Sequence, residues 1–322
     1  MPSSKSNSSK AKVKAKAKTK AKSKSKSKIM NIADLSHYLV HPNPEDAKLT
    51  STVTGQDQSG AEVLVDVVTE RGLTVYLNKQ EIVTLMTLGD HPEYLAIGFL
   101  LNQNMLQKDD LVTGVDYDED LEVAIVRTQR ETNYEDKLKK KVRTSGCAQG
   151  TVFGDIMEKF DTIELAKHTK INTSWLYQLS RIINTTPSIY QKAGAIHGCV
   201  LCHQATPLVY MEDVGRHNAI DKIAGYMFKH NLNPEDKCFY TTGRLTSEMV
   251  IKTVQMGIPI LISRSGFTAW GVQLARKAGL TLIGRAKGKK FVALSGYERL
   301  SYDIDMSSVP DEPKSAGRKN AD

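Results

Sequence analysis

The sequence has no long hydrophobic run. Its longest apolar stretch, Tyr94 to Leu101, contains Gly98 and is far shorter than the roughly 18 residues that cross a bilayer. Hydrophobic residues nevertheless make up 40% of the 322 residues, which is enough for one large or two ordinary globular cores. The composition therefore excludes a membrane-spanning protein and predicts a globular one.

Cysteine is also scarce. The four cysteines, Cys147, Cys199, Cys202 and Cys238, are too few and too scattered for a disulfide framework in a chain of this length. This usage is typical of a reducing compartment and favours a cytoplasmic protein.

The first 28 residues lack both acidic residues and arginine. They hold 11 lysines, whereas the other 294 residues carry 33 basic and 36 acidic groups, a net charge of −3. Closely spaced like charges oppose packing, so residues 1–28 are predicted to be a disordered, solvated tail that binds polyanions only weakly. Without an apolar core or arginine, the tail is not typical of a secretory or mitochondrial signal, which again favours the cytoplasm.

The next part of the chain predicts a linker, a small domain and a loop. Residues 29–60 are polar and aperiodic, which indicates a linker, and residues 61–142 have the pattern of a small α+β subdomain. Its predicted elements are a helix over Pro92 to Met105 and strands over Glu62 to Val68, Leu73 to Leu77, Glu81 to Leu85 and Leu121 to Val126. Residues 143–154 are predicted to be a mobile glycine-rich loop, and residues 303–322 a second disordered tail.

Residues 155–302 alternate between strand and helix patterns. Their lengths predict an α/β domain with a mixed or largely parallel sheet and helices on both faces. The predicted strands Ala195 to Cys202 and Pro207 to Met211 form a short hairpin. Helices alternate with the predicted strands that follow, which are Lys237 to Thr241, Ile258 to Ser263 and Leu280 to Gly284. Ligands of such sheets bind at the carboxyl ends of the strands.

Glycine, arginine and hydroxyl residues recur where three predicted strands pass into helices. The candidate binding residues are Arg216, His217 and Asn218 at the first junction, Gly243 and Arg244 at the second, and Ser263, Arg264 and Ser265 at the third. Helix N-termini and bidentate arginines both favour phosphate oxygens. The repetition favours a nucleotide-like ligand over the alternative that each arginine pairs with a carboxylate such as Asp213, Asp221 or Glu248.

A fourth basic segment lies between two predicted strands. It consists of Arg285, Ala286, Lys287, Gly288, Lys289 and Lys290. Taken alone it favours an exposed hairpin whose charges prevent edge pairing. Beside the three junctions, it is also a candidate clamp for a pyrophosphate.

Cys147 is the candidate nucleophile. It lies between Gly146 and Gly150, just after the basic run Lys137 to Arg143, and nearby cations stabilise a thiolate. The alternative is an inert buried cysteine, which the small and polar flanking residues disfavour.

Cys199 and Cys202, flanked by His197 and His203, are a candidate metal or redox cluster. On a strand, however, the period of two places the two cysteines on opposite faces, whereas a helix would place them on one. The apolar residues between them favour a strand. Both cysteines, and Cys238 as well, are therefore predicted to belong to the core.

Three motifs make the chain similar to a known family. They are EDVGRHNAIDK at Glu212 to Lys222, SGC at Ser145 to Cys147 and TGRLTSE at Thr242 to Glu248. From about Leu73 to Leu300 the chain resembles the formate dehydrogenase accessory sulfurtransferase family, the FdhD sulfur carrier proteins. The resemblance implies a cytidine-deaminase-like α/β domain with an added N-terminal subdomain.

The resemblance also implies an activity. The chain would accept persulfide sulfur on Cys147 from a cysteine desulfurase and deliver it to the molybdenum bis(guanine dinucleotide) cofactor of a formate dehydrogenase. That cofactor would be a bound substrate, held by the junction residues and the Arg285 to Lys290 segment, with no permanent metal. Family members commonly have a second cysteine where this chain has Gly150, but persulfide carriage needs only one sulfur acceptor.

Two other functions stay open on the sequence alone. A non-catalytic chaperone for the molybdenum cofactor would keep the phosphate site and not need Cys147. A zinc-dependent deaminase would need a cysteine pair at the start of the second helix, where this chain has Thr242, Gly243 and Arg244. The sequence does not identify the donor desulfurase or the client enzyme, and it leaves open whether the chain forms a homodimer.

Overall fold

A computed structural model of the chain describes residues 35–130 and 153–309. The predictions for the lysine tail, for Cys147 and its flanking glycines, and for the residues after 309 lie outside these ranges. The described parts form a mixed α/β fold. No helix in them is long and apolar enough to cross a membrane.

Fourteen strands are found in the described ranges. They are β1 (Thr50–Gln56), β2 (Glu62–Val68), β3 (Arg71–Leu77), β4 (Gln80–Thr87), β5 (Val112–Asp118), β6 (Val123–Thr128), β7 (Ile171–Asn172), β8 (His197–His203), β9 (Thr206–Asp213), β10 (Lys237–Thr241), β11 (Ile260–Ser263), β12 (Thr281–Lys287), β13 (Lys290–Ser295) and β14 (Leu300–Ser301). The α-helices described are α1 (Pro92–Asn102), α2 (Phe153–Thr162), α3 (Thr173–Thr185), α4 (Ile189–Ala193), α5 (Arg216–Lys229), α6 (Ser247–Met256) and α7 (Ala269–Ala278).

The larger sheet has six strands in the order β13-β12-β11-β10-β8-β9. Strands β10, β11 and β12 are parallel, whereas β8 runs antiparallel to both of its neighbours and β13 antiparallel to β12. Residues of α2, α5, α6 and α7 pack on one face, and those of α3 pack on the other. The sheet is thus mixed with helices on both faces, as the alternating pattern predicts.

The cysteines confirm the period-of-two argument. Cys199 packs on the face that carries α5, while Cys202 and Cys238 pack on the opposite face beside α3. All three are free thiols and buried. They belong to the core of the sheet.

The smaller sheet has four strands in the order β4-β3-β6-β5, and α1 covers it. Helix α1 also crosses α5 at two glycines. A Cβ added to Gly98 would lie 1.7 Å from the Asp221 carbonyl oxygen, and one added to Gly225 would lie 2.0 Å from the Tyr94 carbonyl oxygen. Only glycine allows this approach, which joins the smaller sheet to the larger one.

The linker assigned to residues 29–60 is wrong for its second half. Strand β1 pairs antiparallel with β2, and the buried Leu49 packs in a small core just before it. The β-branched residues of β1 suit a strand once β2 supplies a partner. The polar cluster after β1 is the hairpin turn, in which Asp57 Oδ1 accepts hydrogen bonds from the Ser59 and Ala61 N–H groups at 2.8 and 3.1 Å.

The disordered tail predicted for residues 303–322 also starts too early in the chain. Asp303 Oδ1 accepts a hydrogen bond of 2.9 Å from the Ser174 N–H, so it satisfies a free N–H in the first turn of α3. Val309 is buried, with 4% of its surface exposed. Residues 303–309 are therefore part of the fold.

Candidate functional site

The carboxyl ends of β9, β10, β11 and β12 meet at one edge of the six-stranded sheet, because these four strands point the same way. Helices α5, α6 and α7 begin at this edge, shortly after β9, β10 and β11. The first N–H groups of a helix have no partner within the helix and favour an anion. We call this edge the strand-end site.

Hydrogen bonds hold the neighbouring junctions together. They run from the Thr242 N–H to Gly198 O (2.9 Å), from Ser263 Oγ to Gly243 O (2.6 Å) and from the Arg285 N–H to Ser265 O (2.8 Å). These bonds join the second, third and fourth basic segments, and the first segment joins them where Arg216 lies against Gly243.

The arginines differ in exposure at the strand-end site. Arg244 and Arg285 are exposed, while Arg216 and Arg264 are half-buried. The side chain of Arg216 packs over Gly243, where an added Cβ would lie 2.9 Å from Arg216 Cδ. A side chain at position 243 would therefore displace Arg216 from this surface.

The alternative to a phosphate ligand was that each arginine pairs with a carboxylate of the protein. The carboxylates considered for that role bind other groups. Asp213 pairs with Lys222 and Asp221 with Lys252, while Glu248 lies against His217. Within residues 35–130 and 153–309, Arg244, Arg264 and Arg285 form no ion pair. Arg264 instead donates a hydrogen bond of 3.1 Å to Asn184 Oδ1. The cations thus remain available to an external anion.

His217 is oriented by a carboxylate. Its Nε2 lies 2.8 Å from Glu248 Oε2, and both side chains are mostly buried. Burial lowers the pKa of His217, although Glu248 opposes this change, and the hydrogen bond from His217 lowers the pKa of Glu248. The arrangement fits a neutral imidazole held against an ionised carboxylate.

Two predicted binding residues have their polar groups used inside the protein. Asn218 Nδ2 donates to Met86 O at 2.7 Å and to Asp213 Oδ1 at 2.9 Å. Ser263 Oγ donates to Gly243 O and accepts from the Ser265 N–H at 2.9 Å, and Ser263 is fully buried. These side chains shape the site from within.

The Arg285 to Lys290 segment forms the end of β12, a turn at Gly288 and Lys289, and the start of β13. Arg285 has a left-handed backbone with φ of 54°. Ala286 packs into the core beside α3, whereas Arg285, Lys287 and Lys290 are exposed. The segment therefore exposes Arg285, Lys287 and Lys290 to solvent, while Ala286 between the first two anchors it to the core.

His197 was not among the predicted site residues, yet it lies at the strand-end site. It begins β8 opposite Asp213, because β8 and β9 form an antiparallel hairpin. Burial lowers its pKa, and the nearby cations Arg216 and Arg244 lower it further. The predicted hairpin was the signal that could have placed His197 near the end of β9.

Much of the Glu212 to Lys222 motif is buried beneath the site. Lys222 Nζ lies 2.5 Å from both Asp213 Oδ2 and Asp90 Oδ1, and it donates to Glu212 O at 2.9 Å. Asp213 Oδ2 also accepts from Thr87 Oγ1 at 2.5 Å. Burial opposes the charge of Lys222, but the two aspartates raise its pKa above the ordinary value. This network joins β4 to β9 and α5.

The other two carboxylates of the motif hold helices. Asp221 accepts from Asn102 Nδ2 at 2.7 Å and pairs with Lys252, which connects α1, α5 and α6. Glu212 accepts from the Ile189 and Tyr190 N–H groups at 2.8 and 3.2 Å, at the start of α4. Burial raises the pKa of Glu212 to about 7.

In the part of the chain that the structure describes, no three His, Cys, Asp or Glu side chains are grouped so that they could hold a metal ion. The polar chemistry of the strand-end site is that of arginine, lysine, histidine and backbone N–H groups. Such groups bind anions.

The described chain is thus a mixed α/β protein with an arginine-rich site at the ends of its strands. Residues 68–301 match the model of the FdhD/NarQ family, and the chain belongs to this family.

Named relatives and a solved structure agree with this assignment. The sulfur carrier protein FdhD of Listeria innocua is 28% identical over 74% of this chain and 93% of its own. That of Bacillus subtilis is 30% identical over 72% and 89%. A crystal structure of a protein assigned as a formate dehydrogenase accessory protein from Desulfotalea psychrophila is 25% identical, with a TM-score of 0.64, and covers 79% of this chain and 99% of that one.

Proposed function

We propose that this chain is a sulfur carrier with sulfurtransferase activity. It accepts persulfide sulfur on Cys147 from a cysteine desulfurase and delivers it, in the cytoplasm, to the molybdenum bis(guanine dinucleotide) cofactor of a formate dehydrogenase. Membership of the FdhD/NarQ family supports the proposal, as do relatives that are named sulfur carrier proteins. The mixed sheet with helices on both faces is also compatible with a cytidine-deaminase-like domain.

The first step is a thiol exchange on one cysteine. The Cys147 thiolate attacks the outer sulfur of the donor persulfide, the donor S–S bond breaks, and the donor cysteine leaves as a thiolate. A new S–S bond then holds the sulfur on Cys147. One cysteine suffices, so Gly150 in place of a second cysteine does not prevent this step.

The observation that carries the proposal beyond family membership is the set of cations at the strand-end site. A bis-dinucleotide carries two pyrophosphates, and the chain outside the lysine tail has a net charge of −3, which repels them. Arg244 and Arg285 are exposed, and α5, α6 and α7 add their N-termini. These groups offset the repulsion locally and suit several phosphates.

Mass spectrometry tests the sulfur step directly. After incubation with a cysteine desulfurase and cysteine, Cys147 should gain about 32 Da, the mass of one sulfur atom. Cys147→Ser should lose both this adduct and sulfur delivery, because oxygen does not hold a sulfane sulfur. Cys199→Ser, at a fully buried core position, is the control and should retain both. Delivery by Cys147→Ser together with its loss in Cys199→Ser would overturn the assignment.

A non-catalytic cofactor chaperone is the second candidate, because the strand-end site alone suffices for holding a nucleotide. One measurement, the activity of formate dehydrogenase matured with Cys147→Ser, distinguishes such a chaperone from a sulfurtransferase. Formate dehydrogenase matured with Cys147→Ser would be fully active if the chain only held the cofactor. No described residue favours a zinc-dependent deaminase.

A further inference from the structure

A pocket of about 280 Å³ lies far from the strand-end site, between the ends of α1, α5 and α6. Arg216 begins α5 at the strand ends, and Phe228 lines the pocket twelve residues later, which corresponds to about 18 Å along the helix axis. The pocket is therefore separate from the groups that bind phosphate in the proposed function. We call it the helix-end pocket.

The wall of the helix-end pocket is mainly apolar, with a few amides and two lysines. The apolar lining includes Leu101, Ala224, Met227, Phe228, Leu232, Pro234 and Met256, and the polar lining consists of Asn102, Lys108, Lys159, Asn231, Asn233 and Gln255. No carboxylate is among these residues. The carboxyl ends of three helices carry partial negative charge and offset the two lysines, so the pocket suits a ligand of low net charge.

Gln255 stands out among the lining residues. It is 5% exposed, and neither its Nε2 nor its Oε1 has a hydrogen-bond partner in the described parts of the chain. Two other amides of the wall are paired: Asn102 donates to Asp221 at 2.7 Å, and Asn233 accepts from the Glu235 N–H at 3.1 Å. Folded proteins pair almost all buried amides, because an unpaired one is costly. Gln255 thus offers an unused donor and acceptor beside a cavity.

We propose that the helix-end pocket binds a planar heterocycle of the nucleobase class. A base edge with a neighbouring donor and acceptor matches the side-chain amide of Gln255, which meets it when the side chain rotates toward the pocket. Met227, Met256 and Phe228 supply polarisable and aromatic surface for the ring. The volume is just below the roughly 300 to 1,000 Å³ of pockets for drug-sized ligands, so it accepts a single base or nucleoside.

Calorimetric titration of the full chain with the four common ribonucleosides and their monophosphates tests the proposal. At least one nucleoside should bind the wild type, and Gln255→Met should weaken this binding about tenfold or more. Gln273→Met, which changes an exposed glutamine of α7, and Arg244→Ala, at the strand-end site, should leave it unchanged. Tighter binding of a monophosphate than of its nucleoside that persists in Arg244→Ala would identify a nucleotide as the source of the base, because the strand-end site is itself proposed to bind phosphate.

Thermal denaturation shows whether the variants fold, and Gln255→Glu, which keeps the shape but loses the donor, provides a second test. Binding should be weakened about tenfold or more in both Gln255 variants. Absence of nucleoside binding to the wild type, or binding as tight in both variants as in the wild type, would overturn the proposal. Binding lost in Arg244→Ala would place the base at the strand ends and overturn it as well.

Discussion

The buried residues of the Glu212 to Lys222 motif contrast with the arginines that lie above them. Glu212, Asp213, Asp221 and Lys222 are each at most 1% exposed, and each is bound to other parts of the chain. The strand-end arginines, in contrast, range from half-buried to exposed. The buried residues of this motif therefore mainly hold β4, α1, α4, α5 and α6 together.

The buried residues of the motif are expected to stabilise the fold, whereas the arginines above them are expected to bind the ligand. Removing one partner of a buried ion pair costs several kcal/mol, whereas removing an exposed arginine costs little stability. Substitutions beneath the strand-end site should therefore change unfolding, and substitutions on it should change ligand binding.

Lys222→Met should have the largest effect on stability. The change leaves Asp213, which is fully buried, and Asp90 without their cation, and it should lower the free energy of unfolding by about 3 to 5 kcal/mol. The control is Lys229→Met on the same helix, where the pair with Glu93 is exposed on both sides, and there the loss should stay below about 1 kcal/mol. Urea denaturation measures both. Equal losses would contradict a structural role for the buried network.

Glu212 should make stability depend on pH. Its pKa is raised from 4.5 to about 7 by burial, so between these values the folded state holds a proton that the unfolded state releases. Stability from this group is therefore fully present below pH 4.5 and is lost as the pH rises through about 7, by about 3 kcal/mol in all.

Urea denaturation of the wild type and Glu212→Gln between pH 4.5 and 8 measures this effect. The stability of the wild type relative to the variant should fall as the pH rises, because glutamine does not titrate. A relative stability that rises with pH would show that Glu212 is ionised throughout.

Gly98→Ala should disturb the crossing of α1 and α5. The new Cβ would lie 1.7 Å from the Asp221 carbonyl oxygen, so the helices must separate, at a cost of about 1 to 3 kcal/mol. Gly114→Ala in β5 is the matched control, since nothing lies within 4 Å of its Cβ position. Thermal denaturation of the two variants should show a lower melting temperature for Gly98→Ala alone. An equal decrease in the melting temperature of Gly114→Ala would show that the loss comes from replacing any glycine and not from the crossing of α1 and α5.

The regular elements of the larger sheet could be predicted from the sequence because strand and helix patterns alternate there without interruption. The hairpin of β8 and β9 and the strand over Lys237 to Thr241 lie where predicted. Strand β1 could not be predicted, because its residues are mostly exposed and only the pairing with β2 makes it a strand. Its polar composition is that of a linker.

The candidate site, too, could be predicted from the sequence only in part. Repeated arginines beside glycines indicated which junctions meet, because parallel strands end at one edge. Composition could not reveal that Asn218 and Ser263 use their polar groups internally, since this depends on the distant Met86 and on Gly243. Nor could it reveal Lys222 as the centre of a buried network, because its partner Asp90 is 132 residues away in the chain.

Arg244 offers the most direct test of the claim that the strand ends bind phosphates while the buried motif holds the fold. Arg244→Ala should weaken binding of GDP, used as a fragment of the proposed substrate, by about tenfold to a hundredfold, as expected for a lost charge-assisted hydrogen bond of ~1.5 to 3 kcal/mol. Arg244→Lys should recover only part of the affinity, because lysine lacks the planar fork. Arg244 is exposed, so both variants should unfold within about 0.5 kcal/mol of the wild type. Calorimetric titration of GDP into the three folded proteins should therefore rank them wild type, lysine, alanine, whereas equal affinities, or no binding to the wild type, would contradict the account.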